Sequence, residues 1–324
     1  MTRVAVVGAG VMGCAASWAL AARGAEVTLY EQFDLEHKRG SSHGRTRIFR
    51  LAYPEAYWVQ LAQEALDGWR ELEREAGREL LRLHGLVELC SSLEASSQAV
   101  LAARGIEHRL LDRVELREHR LELPAGWIAL WQPDAGVVLA DEARHAFLEL
   151  AQPRLETQHR VESLDDVDAD VVVVTAGPWI TKLVPDLPVR VTRETVAYFA
   201  HEGAPMPSVV ELDAVSRRHA MYALHDPEFG VKAGAHQVGH VTDPDVAEAA
   251  DPAIVARVVE WVRARLPDVD PSPTATESCI YTTTADESFI LERRGRVVVG
   301  SACSGHGFKF APAVGRRLAA LALG

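Results

Sequence analysis

The order of apolar and polar positions near the N-terminus predicts a strand, a glycine turn, a helix and a second strand. Residues 4–7 form a continuous apolar run, which is typical of a parallel strand buried on both faces. An alanine-rich helical stretch extends to Ala22, and Gly24 is a candidate for the glycine that ends the helix. Residues 26–31 form the next predicted strand, so the segment predicts one β-α-β unit.

The same patterns recur along the chain. Apolar residues at helical spacing predict helices over about 57–77, 141–150, 252–265 and 312–323. Short apolar runs predict strands at 86–90, 171–174 and 296–301, and longer strands of antiparallel type at 189–200, 218–224 and 230–237. We therefore predict an α/β fold, α+β overall, in which a sheet domain interrupts a nucleotide-binding domain. The predicted boundaries are 1–80, 135–185 and 277–324 for the nucleotide domain, and 81–134 and 186–276 for the inserted substrate domain.

Composition excludes several classes of protein. The 324 residues include 34 Lys and Arg against 46 Asp and Glu, a net charge of −12, which argues against nucleic acid or an anionic membrane as partner. Four scattered cysteines do not make a disulfide framework, and no Cys or His pair has zinc spacing, so no metal is expected. No apolar run is long enough for a membrane span. A reducing cytoplasm is the expected compartment.

A glycine fingerprint lies between the first strand and the first helix. Gly8 permits a tight turn, Gly10 lets the backbone approach a pyrophosphate, and Gly13 lets the helix pack closely on the strand. Glu31 ends the following strand, where its carboxylate is placed to accept hydrogen bonds from a ribose and to repel a 2′-phosphate. A dinucleotide site is predicted, and the choice between FAD and NAD stays open.

A basic segment follows the second strand. Residues 38–50 contain five basic side chains and no acid. Because an arginine fork binds carboxylates in a bidentate manner, we expect Arg47 or Arg50 to bind an anion. For Lys38 a solvated surface position is an equal alternative.

Period-two alternation places Lys232, Gly234 and His236 on one face of a predicted strand. The glycine would leave room for a flat ligand, but the pattern by itself favours an exposed sheet face, which normally carries Lys and His. Cys279 and Cys303 are, on their own, expected to be small buried apolar residues.

The last predicted helix is preceded by a glycine turn. Gly305 and Gly307 flank a histidine, and Lys309 lies near the start of the helix, where the helix dipole is positive. Such a turn is suited to stabilise negative charge on a substrate carboxylate or on a reduced flavin.

Six segments, in order, resemble the monomeric sarcosine oxidase and N-methyltryptophan oxidase family, flavoproteins of the D-amino-acid-oxidase superfamily. They are GAGVMG at 8–13, EQFDLEHKRGSSHGRTRIFRLAYPE at 31–55, TAGPW at 175–179, GVKAGAH at 230–236, ESCIYTTTADESFIL at 277–291 and SGHGFKF at 304–310. The resemblance implies a Rossmann-like FAD-binding domain, discontinuous in sequence, with an inserted substrate domain on a mixed or antiparallel sheet. It also implies a monomer.

The resemblance implies roles for individual residues. Cys279 matches the cysteine that carries the flavin through a thioether to its 8-methyl group, and Lys232 matches a lysine linked to oxygen activation. Arg50 and Lys309 match a pair that clamps the substrate carboxylate. His236 matches an active-site histidine, and Tyr222 matches a substrate-contacting tyrosine across a one-residue gap. The remaining implied cofactor contacts are Ser42, Thr46, Arg47, Gly177, Trp179, Gly305 and Gly307, whereas Cys303 stays structural.

The implied activity is the oxidation of a secondary amine that carries a carboxylate, with FAD as cofactor, O2 as acceptor and H2O2 as product. The alternatives are a flavin-dependent dehydrogenase with another acceptor, an NAD-dependent dehydrogenase and a non-catalytic flavin-binding protein. The chain differs from the family pattern after the last helix, where a longer tail is usual, and over 150–171, where we expect a hairpin to be missing.

Overall fold

The computed structural model describes residues 1–212 and 219–324, without the side chain of His219. Its helices are α1 (Val11–Ala21), α2 (Ala56–Ala76), α3 (Gln98–Ala103), α4 (Arg113–Glu118), α5 (Ala140–Ala151), α6 (Ile180–Leu183), α7 (Pro252–Arg265) and α8 (Ala311–Leu323). Its first nine strands are β1 (Arg3–Val7), β2 (Glu26–Tyr30), β3 (Thr46–Phe49), β4 (Leu81–Arg82), β5 (Leu86–Cys90), β6 (Arg109–Leu111), β7 (Ile128–Gln132), β8 (Gly136–Leu139) and β9 (Arg154–Glu156). The others are β10 (Val171–Val174), β11 (Val189–Phe199), β12 (Ser208–Leu212), β13 (His219–Asp226), β14 (Gly230–Ala235), β15 (His240–Val241), β16 (Pro273–Thr284), β17 (Ile290–Arg294) and β18 (Val297–Ser301).

A six-stranded sheet forms the nucleotide-binding part, in the order β17-β18-β10-β1-β2-β9. Five of its strands are parallel, and β17 runs antiparallel to β18 at one edge. Val4 and Val6 face the cluster built with α1, α2, α5 and α8, whereas Ala5 and Val7 face a second cluster. Both faces are covered, which is why β1 is apolar throughout.

A nine-stranded mixed sheet forms the second part. Its strands follow the order β15-β11-β14-β13-β12-β5-β7-β6, and β16 pairs with β11 along nearly its whole length. The β5–β12 pair is parallel and the other pairs are antiparallel. Helix α7 packs through Ile254, Val258 and Trp261 against the apolar face of this sheet. The predicted combination of a parallel sheet with a mixed sheet is confirmed.

The predicted elements correspond closely to the observed ones. The predicted helices over 57–77, 141–150, 252–265 and 312–323 are α2, α5, α7 and α8. Arg218, the first residue of one predicted strand, lies outside the described residues, and the rest of that strand is β13. The predicted boundary at residue 277 falls inside β16, a strand of the nine-stranded sheet, and the division into domains stays a prediction.

Two further sequence expectations bear on the architecture. The abbreviated segment over 150–171 contains β9, which adds to the parallel sheet beside β2, and the missing hairpin stays a prediction. Among the described residues, no helix combines the length and apolar character needed to cross a membrane.

Candidate active site

One large cavity brings together nearly all the residues singled out in the sequence. It is lined by Gly8, Gly10, Glu31, Ser42, Thr46, Arg47, Arg50, Gly177, Trp179, Tyr222, Lys232, Cys279, Gly305, Gly307 and Lys309. The glycine turn, the basic segment, the second sheet and the terminal turn therefore contribute to one site. Of the predicted site residues, Gly13 and His236 do not line it.

The glycine turn is built for close approach of backbone to backbone. Gly8 has a φ of +100°, and a Cβ at that position would lie 2.6 Å from the Thr175 carbonyl oxygen. A Cβ on Gly13 would lie 1.9 Å from the Gly8 carbonyl oxygen. Gly13 thus fulfils the packing role expected of the third glycine, and Gly10 is the N-terminal cap residue of α1.

Two side chains fix the backbone of this turn. The Ala9 N–H donates to Glu31 Oε2 at 2.9 Å, and the Val11 N–H donates to Ser42 Oγ at 3.0 Å. The other oxygen of Glu31 accepts from the Phe33 N–H at 3.0 Å. Glu31 is only 6% exposed, so its carboxylate is held rigidly at the wall of the cavity.

Arg144 is a cavity residue that sequence reasoning missed. It projects from α5, is 4% exposed and lines the cavity together with the glycine turn. One guanidinium N–H donates to the Leu35 carbonyl at 2.6 Å, whereas the buried Nε has no hydrogen-bond partner among the described residues. The guanidinium also lies 3.8 Å from Asp141 Oδ1, so the cavity has a cation that is paired at one end and unsatisfied at Nε. In the sequence, Arg144 is an ordinary polar residue of an amphipathic helix, so nothing indicated that it would line the cavity.

Arg47 organises the basic segment. Its guanidinium donates to the carbonyl oxygens of Thr46, Ser41 and His43, the first two at 2.8 and 2.9 Å. The Thr46 hydroxyl in turn donates to the buried carboxylate of Asp226 at 3.2 Å. Because Arg47 already serves three carbonyl groups, Arg50 is the better candidate of the two for binding an anion.

Arg50 and Lys309 form the cationic pair of the cavity. Arg50 is 3% exposed and Lys309 is 5% exposed. Their polar contacts are to backbone carbonyls, Ala52 for Arg50 and His306 for Lys309, each at 2.8 Å. No carboxylate in the described part of the chain lies within ion-pair distance of either. Burial and, secondarily, Arg50 hold the pKa of Lys309 well below its usual value.

Tyr53 and His306 complete the surroundings of this pair, and neither was assigned a role from the sequence. The Arg50 guanidinium lies 4.1 Å from the Tyr53 ring centre, and Lys309 Nζ lies 5.7 Å from it. The Tyr53 hydroxyl is 3.3 Å from His306 Nδ1. Burial, followed by the charge of Lys309, lowers the pKa of His306 far enough to keep the imidazole neutral. The glycines on both sides of His306 were the available signal.

Lys232 is buried in the wall of the cavity, 6% exposed. Burial and then the neighbouring Arg47 lower the pKa of its ammonium group to about 7, against the opposing effects of Cys279, Glu277 and Asp226. The expectation that Gly234 leaves room for a flat ligand is wrong. A Cβ on Gly234 would lie 2.6 Å from the Tyr222 hydroxyl, so the phenol ring already occupies that space.

His236 lies behind the cavity wall. Its ring packs on Tyr281 with the ring centres 5.5 Å apart, and its Cε1 is 2.5 Å from the place of a Cβ on Gly305. An effect of His236 on catalysis would therefore pass through Tyr281 or Gly305, and its catalytic role stays a prediction.

Cys279 presents its thiol to the cavity from β16. It is partly exposed there, and burial raises the pKa of the thiol to about 11, which Lys232 and Arg47 partly offset. Cys303 also lines the cavity, where its sulfur accepts from the Thr282 N–H at 3.4 Å. Within residues 1–212 and 219–324, no group of three or more His, Cys, Asp and Glu side chains could hold a metal ion.

Comparison with known proteins identifies the family. The family described as FAD dependent oxidoreductase (DAO) matches residues 3–321. The chain belongs to this family. Peroxisomal sarcosine oxidase of Mus musculus is 32% identical over 98% of this chain and 91% of its own. Monomeric sarcosine oxidase of Bacillus sp. (strain B-0618) is 30% identical over 99% and 92%.

Solved structures show the same architecture. The open form of NikD, an unusual amino acid oxidase essential for nikkomycin biosynthesis, is 25% identical with a TM-score of 0.84 and covers 100% of this chain and 94% of its own. Together these matches confirm the predicted family, the fold and the enzyme class, an FAD-dependent amine oxidase that acts on CH–NH bonds. They also resolve the choice between FAD and NAD that the fingerprint left open.

The residues of the cavity fit FAD. The turn that a Cβ on Gly8 or Gly13 would obstruct lies at the N-terminus of α1, and the unsatisfied Nε of Arg144 adds positive charge nearby. Both features suit a pyrophosphate group. Glu31 lies at the end of β2, the position from which a carboxylate binds a ribose.

Proposed function

We propose that this enzyme oxidises a secondary amine carrying a carboxylate, such as an N-methyl or cyclic amino acid, to the corresponding imine. The electrons pass through FAD to O2, which gains two electrons and two protons and becomes H2O2. Two relatives named as sarcosine oxidases support this substrate class. We further propose that the enzyme acts as a monomer in the cytoplasm.

The observation that carries the proposal is the pair Arg50 and Lys309. Two buried cations in one cavity, without a carboxylate partner among the described residues, lower the stability of the protein unless an anion joins them. A substrate carboxylate is planar and suits the guanidinium fork, while the ammonium supplies a second, charge-assisted hydrogen bond. The pair therefore supports a substrate with an acidic group close to the reacting carbon.

We assign the FAD contacts to two groups of residues. Gly8, Gly10, Glu31 and Ser42 would hold the dinucleotide part, together with Arg144. Thr46, Arg47, Gly305 and Gly307 would line the ring system, whereas Gly177 and Trp179 would lie on the dinucleotide side, because Trp179 packs on Phe33 next to Glu31. When bound, FAD accepts a hydride equivalent from the C–H bond next to the amine nitrogen.

We propose that FAD is tethered to Cys279 by a thioether to the 8-methyl group. The bond replaces one hydrogen of the thiol and one of the methyl group, a two-electron oxidation for which O2 is the terminal acceptor. Lys232 and Arg47 support this assignment, because both cations favour the reactive thiolate of Cys279.

The protein side chains prepare the substrate for the reaction. Arg50 and Lys309 hold the carboxylate, which fixes the position of the adjacent C–H bond and makes the transfer effectively unimolecular. Tyr222 lines the same cavity and is assigned a substrate contact. His236 is assigned an indirect role in favouring the neutral amine, whose lone pair is needed as the hydride leaves. The protonated Lys232 would stabilise the negative charge that develops on O2.

A substrate panel tests the proposal. The purified yellow protein is mixed without oxygen with sarcosine, L-proline and N-methyl-L-alanine, and with dimethylamine, pyrrolidine and N-methylethylamine, which are the respective matched amines without a carboxylate. We expect bleaching of the flavin by at least one of the acids and not by its matched amine, and one H2O2 per amine oxidised in air. Bleaching without peroxide in air would favour a dehydrogenase. No bleaching across a wide panel would favour a flavin-binding protein without this activity.

A further inference from the structure

Lys232 belongs to one face of three neighbouring strands. In the antiparallel ladders, Tyr198 of β11 is paired with Lys232 of β14, and Val196 of β11 is paired with Glu277 of β16. Because side chains alternate along a strand, these residues and Cys279 point to the same side of the sheet. Lys232, Glu277 and Cys279 all line the cavity, so the strand that carries the proposed tether also carries a carboxylate, and Tyr198 of β11 lies between it and the lysine.

Glu277 is the carboxylate of this part of the cavity. Three carboxylates line the cavity in the described part of the chain, Glu31, Glu162 and Glu277. Glu31 is bound by the backbone of the glycine turn, and Glu162, in the segment between β9 and β10, is paired with Arg160. Glu277 is thus the cavity carboxylate on the strand that carries Cys279.

Tyr198 fixes the position of the Glu277 carboxylate. The Tyr198 hydroxyl donates to Glu277 Oε2 at 2.7 Å, and the ring centre of Tyr198 lies 5.7 Å from Lys232 Nζ. The other oxygen of Glu277 lies 3.8 Å from Lys38 Nζ, which is largely exposed. The carboxylate is therefore anchored between a surface lysine and a buried tyrosine that lies against Lys232.

The other titratable neighbours of Lys232 are less suited than Glu277 to stabilise its positive charge. Arg47, in β3, repels the ammonium of Lys232, and His43, whose pKa burial lowers to about 3, is neutral and offers no opposite charge. Asp226, the last residue of β13, already accepts from Thr46 and from two backbone N–H groups. Cys279 is a neutral thiol at neutral pH and would be a thioether in the loaded enzyme.

We propose that Glu277 is a positioning residue whose carboxylate, held by Tyr198, keeps Lys232 protonated at neutral pH and thereby sustains the rate at which O2 is reduced. This inference rests on the O2 step of the proposed function. The reaction is the two-electron, two-proton reduction of O2 to H2O2 already given, and Glu277 changes only the charge beside it.

The charge on Lys232 is measurable without turnover, because the chain has only four lysines: Lys38, Lys182, Lys232 and Lys309. In holoprotein labelled with ¹³Cε-lysine, four sets of signals are titrated by NMR, and Lys232→Met assigns the relevant one. We expect Glu277→Gln to lower the pKa of Lys232 by about one pH unit, since an opposite charge is lost. Glu228→Gln is the matched control. Glu228 is an exposed acid in the β13–β14 hairpin that carries Lys232, and it is paired with Arg45. An unchanged Lys232 midpoint in Glu277→Gln, or equal shifts in both variants, would overturn the inference.

The second measurement is the oxygen reaction itself. The flavin is reduced by light, without any amine, and mixed with O2 over a range of pH. We expect the rate in Glu277→Gln to be about tenfold lower at pH values above the Lys232 midpoint, following the loss of the ammonium. A rate of flavin reoxidation that stays unchanged although the titration midpoint of Lys232 has shifted would overturn the inference. Should Glu277→Gln fail to fold, Tyr198→Phe is expected to produce a smaller shift of the same sign.

The two proposals fail in different ways. If no amine bleaches the flavin, the proposed substrate class is wrong, while the lysine titration and the reaction of photoreduced protein still decide the role of Glu277. If the photoreduced protein does not react with O2, the oxygen step is wrong for both proposals.

Discussion

The guanidinium of Arg50 lies 4.1 Å from the ring centre of Tyr53, and Lys309 reaches the same ring at 5.7 Å. Both buried basic groups thus lie against one aromatic ring, and their hydrogen bonds are made to backbone carbonyls. Cation–π contacts of this kind compensate only part of the desolvation of the two charges. A carboxylate that binds both cations would complete the site. The pair is therefore expected to select substrates that carry a carboxylate.

Substitution of Lys309 tests whether the pair selects substrates by their carboxylate. Lys309→Met is expected to weaken binding of the carboxylate substrate by about 1.5 to 3 kcal/mol, roughly 10- to 150-fold, the contribution typical of a hydrogen bond to a charged group. The measurement is the dissociation constant of a substrate analogue with a carboxylate, followed through the flavin spectrum. An analogue without the carboxylate serves as the control and should bind equally to both proteins. Equal losses of affinity for the two analogues would show that the substitution disturbs the structure of the site and that Lys309 does not bind the carboxylate.

Carboxylate binding should also be accompanied by proton uptake. The pKa of Lys309 is lowered by burial and by Arg50, and a bound carboxylate is expected to raise it again. At a pH above the lowered value the lysine must take up a proton as the ligand binds, so affinity falls as pH rises. Calorimetry in two buffers of different ionisation enthalpy measures this uptake. We expect it to disappear in Lys309→Met, and proton release on binding would contradict the assignment.

The two cysteines of the cavity provide an internal control for the flavin tether. We expect Cys279→Ser to bind FAD but to release the yellow colour on acid precipitation, whereas Cys303→Ser retains it. Because the pKa of the Cys279 thiol is raised to about 11, the thiolate fraction increases with pH throughout the range below that value. Covalent incorporation of FAD into apoprotein should therefore proceed faster at pH 9 than at pH 7. Colour retained in the pellet of Cys279→Ser would place the attachment elsewhere.

Much of this structure could be predicted from the sequence because its signals are local. The apolar run at 171–174 and the glycine fingerprint each predict their own element, and the observed strand Val171–Val174 and turn agree with them. The positions of Arg144 and Tyr53 could not be predicted in the same way. Their roles depend on which distant residues α5 and the segment before α2 meet, and this is decided by packing.

Period-two alternation succeeded and failed within a single strand. It correctly placed Lys232 and Gly234 on one face, but it could not show that Tyr222 of the neighbouring strand fills the space beside the glycine. It also placed His236 on that face, although β14 ends at Ala235 and the histidine packs behind Gly305. Alternation applies only as far as the strand extends.

The third glycine of the fingerprint should be intolerant of even one methyl group. A Cβ on Gly13 would lie 1.9 Å from the Gly8 carbonyl oxygen, so α1 would have to move away from β1. Gly13→Ala is expected to lose FAD binding and several degrees of melting temperature, since a displaced backbone cannot present its N–H groups to the pyrophosphate. The control is Gly24→Ala, where a Cβ meets nothing within 4 Å but φ is +77°. That variant should lose a little stability and keep its FAD, and a Gly13→Ala protein with normal FAD affinity would refute the packing argument.

Lys232 should make the free energy of unfolding depend on pH, whereas Lys182 should not do so over the same pH range. Its pKa in the folded protein is lowered to about 7, below the ordinary lysine value, so between those two values the unfolded chain binds more protons than the folded one. Unfolding is therefore favoured at the lower pH, and the contribution of Lys232 to stability improves as pH rises.

We expect Lys232→Met to be more stable than the unsubstituted holoprotein at pH 6.5, with the difference smaller by roughly 2 to 4 kcal/mol at pH 9.5. Urea unfolding followed by circular dichroism at both values measures it. Lys182 has its pKa raised by hydrogen bonds to Asp245 and Asp243, so Lys182→Met should be slightly less stable by the same amount at both pH values. A Lys232→Met protein with the same advantage at both pH values would show that only packing had changed, and that the ammonium of Lys232 is not desolvated in the cavity.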